Sequence, residues 1–145
     1  MTDEEKIDFA KIEKKWRAMW EKNGIYKAPE KAKGKKNFYH LVMFPYPSGD
    51  LHIGHWYNFG PADIYARFKK MAGFNVMSPI GFDAFGLPAE NAAIKNNVPA
   101  REWTLRNIEQ MKVQMNRLGF SYDWSTEVTT CLPEYYRWNQ WFFLK

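Results

Sequence analysis

The chain has 145 residues and carries seven Trp, eight Tyr and eleven Phe; that length supports one domain with a real core, and such aromatic content excludes a disordered chain. Its net charge of +5 is uneven, with eleven Lys/Arg against seven Asp/Glu in residues 1–40 and ten against nine thereafter, so the front of the chain offers either a solvated lysine-rich surface or a patch for a polyanion such as RNA. The single cysteine, Cys131, excludes an internal disulfide and a multi-cysteine zinc site; the lack of an apolar run of about eighteen residues and the acidic start at residues 1–5 point to a soluble, cytoplasmic protein that does not enter a membrane.

Residues 6–23 read as a helix, because Ile12, Trp16, Met19 and Trp20 recur at helical spacing and Asn23-Gly24 supplies a stop. Residues 27–37 are polar, contain Pro29 and Gly34, and read as a loop. The chain therefore divides into an N-terminal helix with a basic loop (1–37) and a main domain (38–145). The run FYHLVMF at 38–44 has the length and composition of a buried strand, and Pro45-Tyr46-Pro47-Ser48-Gly49 turns the chain after it. A helix is expected from near His52, with a kink or restart at Gly60-Pro61. Ala62, Tyr65, Phe68 and Met71/Ala72 continue one of its faces, and Gly73 stops it.

Residues 76–80 are a second candidate strand, weakened by Pro79. Pro88 suits the first position of a short helix ending near Asn96. A longer helix over 102–118 places Leu105, Ile108, Met111, Met115 and Leu118 on one face, with Gly119 as its stop. Pro133 opens a last helix containing Trp138, Trp141, Phe142 and Leu144. The order strand, helix, strand, helices predicts an α/β fold on a parallel sheet. The last amphipathic pattern reaches Lys145 without a stop, and two strands are few for so apolar a chain, so a continuation beyond Lys145 is expected.

The chemistry concentrates in PYPSGDLHIGH at 45–55. A strand end, a glycine-containing turn and a helix start together present free backbone N–H groups and a positive dipole end to an anion. His52 and His55 share one helix face, and Gly54 between them leaves the backbone open to close approach. By itself the pair fits phosphate binding, part of a metal site that no nearby Cys or Glu completes, or a structural role.

The surrounding text narrows this. His52-Ile53-Gly54-His55 matches the first signature of class I aminoacyl-tRNA synthetases, and the chain resembles the leucyl-tRNA synthetases of bacterial or organellar type at 45–55, at PIGFDAFGLPAE (79–90), at LGFSYDWS (118–125) and at PEYYRW (133–138). The isoleucine and valine enzymes are similar in outline but carry a different turn before the histidines. The resemblance covers about residues 7–145. It implies the first part of a Rossmann-like (HUP-type) catalytic domain that activates leucine with ATP and Mg2+ and passes the leucyl group to tRNA(Leu). His52 and His55 match the catalytic histidines. Pro47, His52, Gly54 and His55 match ATP-binding positions. Asp83 matches the residue that grips the α-ammonium group of leucine, while Met43, Phe44 and Tyr46 match positions beside the amino-acid pocket. The bland readings are a turn cap before Ala84 for Asp83, and core packing for Met43 and Phe44. No metal ligand is implied.

Asp50 departs from the often basic or polar residue of relatives and is expected to face solvent; Trp56 and Phe82 replace other apolar or aromatic residues. The lysine-rich second signature, the second half of the nucleotide-binding fold, the editing domain and the anticodon-side domains are absent from this sequence. The implied partner is therefore the remainder of a synthetase chain, and the isolated chain is expected to be inactive or very weak. The alternative is a non-catalytic fragment or split subunit acting as an ATP- or RNA-binding module. A different nucleotidyltransferase sharing the histidine element is excluded by the matches at 79–90 and 118–138.

Overall fold

Parallel strands need a crossover between them, and this chain supplies helices at those places. The computed structural model describes residues 7–30 and 32–145; the acidic start and the first residue of the expected N-terminal helix lie outside the described residues. The order is α1 (Phe9–Asn23), β1 (Asn37–Tyr39), α2 (Ile53–Met71), β2 (Asn75–Met77), β3 (Gly81–Phe82), α3 (Leu87–Lys95), α4 (Ala100–Leu118), β4 (Val128–Thr129) and α5 (Pro133–Phe143). β1 runs parallel to β2 with Asn37 opposite Asn75, and β3 parallel to β4 with Gly81 opposite Val128. Further backbone bonds extend both ladders. His40 donates to Met77 O (2.8 Å) and Asp83 to Pro45 O (3.0 Å) on one side, while Asp123 donates to Ser78 O (2.9 Å) and Thr130 to Phe82 O (3.2 Å) on the other. Residues 75–83 are thus the middle track of three, which is the α/β arrangement expected.

The first expected strand is regular only at Asn37–Tyr39; beyond it, residues 41–44 leave the ladder between the single bonds made at His40 and Pro45. Pro45 has no N–H to give, and the Met43 carbonyl accepts instead from the Asn58 side chain at 3.2 Å. The second expected strand splits into β2 and β3 around Pro79, and β3 fits only because residue 81 is glycine. A Cβ there would stand 2.3 Å from Val128 O and 2.7 Å from Phe44 Cε2. α5 begins at the expected Pro133, while α3 begins at Leu87 and takes Pro88 at its second position rather than its first. α4 ends at Gly119, which takes the left-handed conformation at φ 72°.

The core gathers Val42, Phe59, Ile80, Met115, Phe120 and Tyr122 in one cluster and Phe82, Ala84, Ile108 and Met111 in another. α4 buries Ile108, Met111 and Met115 as its spacing predicts, although Leu118 is 52 % exposed. α2 differs more. It passes Gly60-Pro61 as one helix rather than restarting, and its buried side is Phe59, Gly60, Asp63 and Ala66. Tyr65, Phe68 and Met71 are exposed. The reason is a buried charge. Asp63 accepts from Arg67 Nε (2.7 Å) and from the Ser121 backbone N–H (2.7 Å), so a carboxylate occupies an inward position where hydropathy looks for an apolar residue. Arg67 also donates to Tyr26 Oη (3.0 Å), and its guanidinium lies 5.3 Å from the Trp20 ring centre. That contact docks α1, which buries no residue of its own.

Candidate active site

Between the first track and α2 the chain runs through Tyr46 to Leu51 without regular structure. Four side chains of α4 hold this loop. Asn107 Nδ2 donates to Pro47 O (3.0 Å) and Trp103 Nε1 to Ser48 O (3.2 Å). Gln114 Oε1 accepts from the Leu51 N–H (3.2 Å), and Gln110 and Gln114 both donate to Asp50 Oδ1. Asp50 is exposed, as expected, and is tied down at its base. Trp103, Asn107, Gln110 and Gln114 recur at steps of four, three and four, so they form one stripe beside the core-facing residues of the helix. That spacing is legible in the sequence; what it binds is not.

The loop delivers His52 as the N-cap of α2, in extended conformation at φ −126° and ψ 174°. Its Nδ1 accepts from the Gly54 N–H at 3.1 Å, and its own backbone N–H donates to His55 Nδ1 at 3.1 Å. A neutral imidazole has one acceptor nitrogen and one donor nitrogen. With both Nδ1 atoms occupied as acceptors, both neutral rings carry their proton on Nε2. The ring centres are 4.0 Å apart. Burial, followed by the neighbouring His52, pushes the His55 pKa below its ordinary value, which keeps that ring neutral at pH 7. His52 is exposed and His55 half-buried. The result is a pair of Nε2–H donors at a helix start, where the backbone dipole adds positive potential. Gly54 is required here: a Cβ would lie 2.9 Å from His52 Cε1.

The pair lines a cleft of about 450 Å³ together with Trp56, Gln114 and Arg117. Met43, Phe44, Tyr46 and Asp83 line another, of about 480 Å³, with Thr130, Tyr135 and Asn139. The expected site residues thus fall into two concavities linked by the 46–51 loop, with Pro47 buried in that link. Asp83 does not cap the turn before Ala84; the Ala84 N–H donates to Thr130 Oγ1 at 2.8 Å. Its half-buried carboxylate has no hydrogen-bond partner among the described residues and remains available to a cation. Met43 is 78 % exposed, so the core-packing alternative fails for it. A larger concavity of about 770 Å³ lies between α1 and the end of α4, lined by Trp20, Tyr26 and Trp124, and contains none of the expected site residues. His40, the remaining histidine, is buried against Ser78 Oγ (2.8 Å). Among the described residues no cluster of three His, Cys, Asp or Glu could hold a metal, and no helix is long and apolar enough to cross a membrane.

A family model described as tRNA synthetases class I (I, L, M and V) matches residues 15–145. The chain is 57 % identical over 141 residues to a leucine–tRNA ligase of Dehalococcoides mccartyi, which covers 97 % of this chain and 17 % of that protein. It is 58 % identical over 142 residues to the leucine–tRNA ligase of Solibacter usitatus, again 17 % of the longer protein. Among solved structures, a LeuRS–tRNA–LeuAMS ternary complex from Agrobacterium radiobacter superposes with TM-score 0.91 at 42 % identity, covering 96 % of this chain and 18 % of that one. The methionyl-tRNA synthetase of Mycobacterium tuberculosis, in complex with methionyl-adenylate, superposes with TM-score 0.64 at 28 % identity, covering 68 % of this chain and 19 % of that one. The chain thus spans about a sixth of the length of the relatives it matches.

Proposed function

Because the chain belongs to the class I tRNA synthetases, we propose that it forms the first part of the ATP- and leucine-binding face of a leucine–tRNA ligase. The reaction activates leucine: its carboxylate oxygen attacks the α-phosphorus of ATP, pyrophosphate leaves, and leucyl-adenylate forms. The leucyl group then passes to the terminal ribose of tRNA(Leu). The observation that carries this reading is the imidazole pair with both Nδ1 atoms tied to backbone N–H groups, which leaves two Nε2–H donors for phosphate oxygens. Donors fixed before the charge develops favour the transition state, by about 2–4 kcal/mol each. Pro47 and Gly54 shape the approach of the nucleotide, with Mg2+ travelling on the triphosphate. In the other cleft the Asp83 carboxylate binds the α-ammonium group of leucine, and Met43, Phe44 and Tyr46 border its side chain.

The 57 % identity to a leucine–tRNA ligase over nearly the whole chain supports leucine over isoleucine and valine. The natural partner is the remaining part of a synthetase polypeptide, and the setting is protein synthesis in the cytoplasm. The test is leucine-dependent ATP–pyrophosphate exchange, measured on the isolated chain and on the chain joined to the remaining part of the Dehalococcoides relative. The isolated chain is expected to show little or no exchange, and the joined enzyme clear exchange that prefers leucine. Faster exchange with isoleucine or valine would overturn the substrate assignment, and strong turnover by the isolated chain would overturn its dependence on a partner.

A further inference from the structure

We infer that Trp103, Asn107 and Gln114 of α4 are the positioning residues of the imidazole pair. None of them hydrogen-bonds to either histidine. They fix four of the five residues that precede His52: Asn107 and Trp103 donate to the carbonyls of Pro47 and Ser48, and Gln114 receives the Leu51 N–H while donating to Asp50. Asn107 is buried, and its amide serves the Pro47 carbonyl from inside the domain. The same helix sets Ile108, Met111 and Met115 into the core. One rigid element thus packs the interior with one face and holds the loop with the next.

This arrangement matters because Gly49 leaves the loop backbone free, and the extended conformation of His52 is what lets its Nδ1 meet the Gly54 N–H. Holding Leu51 in place holds the ring. Rings held before the substrate arrives cost nothing to align during reaction, and a misplacement near 1 Å costs about a hundredfold in rate.

The rate arm of the test rests on the synthetase reading; the spectroscopic arm does not. The first variants are Asn107→Asp, which keeps the shape and removes the donor, and Gln114→Leu. In the 145-residue chain, 15N spectra of the wild-type imidazoles are expected to show unprotonated Nδ1 and protonated Nε2 for His52 and His55. In the variants both signatures average towards mixed tautomers while buried His40 keeps its own. In the enzyme joined to the Dehalococcoides remainder, kcat for exchange falls about ten- to a hundredfold with KM for leucine within about twofold. Combining Gln114→Glu with Asp50→Asn reverses the polarity of one contact while keeping the Leu51 bond, and is expected to restore signatures and rate. Wild-type spectra and rates in both single variants overturn the proposal. If the single variants lose the His40 signature and hence the fold, the reversed pair decides: folded protein with averaged His52 and His55 signals overturns it. A joined wild-type enzyme without exchange would count against the synthetase reading alone.

Discussion

Replacing Gly54 by alanine places a methyl carbon 2.9 Å from Cε1 and 3.0 Å from Nδ1 of His52, closer than such atoms approach one another. The obstacle is a side chain on an exposed residue, so the ring swings away and the fold survives. Its departure breaks the bond from the Gly54 N–H to His52 Nδ1, a capping interaction worth about 1 kcal/mol. Alanine in place of glycine returns up to about 1 kcal/mol of helix propensity, so the net change in stability is expected to be within about 1 kcal/mol, or a Tm shift under about 4 °C. Activity responds differently. The displaced ring no longer offers Nε2–H where the phosphate charge develops, and losing one such donor costs about 2–4 kcal/mol, a factor of about 30 to 1,000 in rate. A thermal melt of the chain and leucine-dependent exchange in the joined enzyme measure the two quantities separately. Unchanged stability with unchanged exchange would show that the His52 position does not matter to catalysis. A collapse of the fold would show that the ring cannot move aside, and either result refutes the reasoning.

Asp63→Ala leaves Arg67 and the Ser121 N–H facing an empty place; breaking such a buried pair costs about 3 kcal/mol, which a thermal melt reads as a drop of roughly 10 °C. Asp83→Ala removes the proposed ammonium ligand, so KM for leucine in the joined enzyme rises about 10- to 150-fold, from about 1.5–3 kcal/mol; an unchanged KM would remove Asp83 from the site. Burial holds both His40 and His55 below the ordinary histidine value of 6.5. The unfolded chain therefore binds more protons than the folded one as pH falls through that value, so stability rises with pH in this range and drops as the solution is acidified. Their contribution is complete above pH 6.5 and is lost as pH falls towards the two lowered folded values. Urea melts at pH 7.5 and about pH 5.5 check the total, and an NMR titration placing either midpoint above 6.5 would contradict the burial argument.

The elements easiest to read from the sequence were those marked by local chemistry. Pro88 and Pro133 lie in the first turns of helices, Gly24 and Gly119 close them, and Ile108, Met111 and Met115 mark a buried face. The parallel order followed from the succession of elements. What hydropathy misreads is α2, where Asp63 points inward because Arg67 and Ser121 meet it from 4 and 58 residues away. Such a pairing leaves no periodic trace. The site divides in the same way. PYPSGDLHIGH marks the histidines and the turn, yet the four α4 side chains that hold the turn lie 55 to 64 residues downstream. Their 4-3-4 spacing is visible, but only the fold shows that Pro47, Ser48, Asp50 and Leu51 are their partners.

The two clefts are not equally finished. At the proposed phosphate end each ring nitrogen that faces the protein has a backbone partner, the position of the His52 ring depends on glycine at 54, and the entering loop is bound to a core helix. Those contacts all lie between residues 47 and 114, within this chain. At the proposed amino-acid end Asp83 is half-buried without a hydrogen-bonded side-chain partner among the described residues, Met43 and Tyr46 are exposed, and α5 turns Trp138 and Phe142 to solvent. A pocket that tells leucine from isoleucine or valine works by excluding water and fitting methyl groups, differences worth about 1–3 kcal/mol, and open side chains cannot do this. On the proposed reading, the donors for phosphate are therefore already fixed within the described residues, while side-chain selection needs further cover over the 480 Å³ cleft. ATP analogues should then shift His52 and His55 resonances in the isolated chain at concentrations where leucine, isoleucine and valine leave Met43 and Tyr46 equally unperturbed; discrimination among the three amino acids by the chain alone would refute that division.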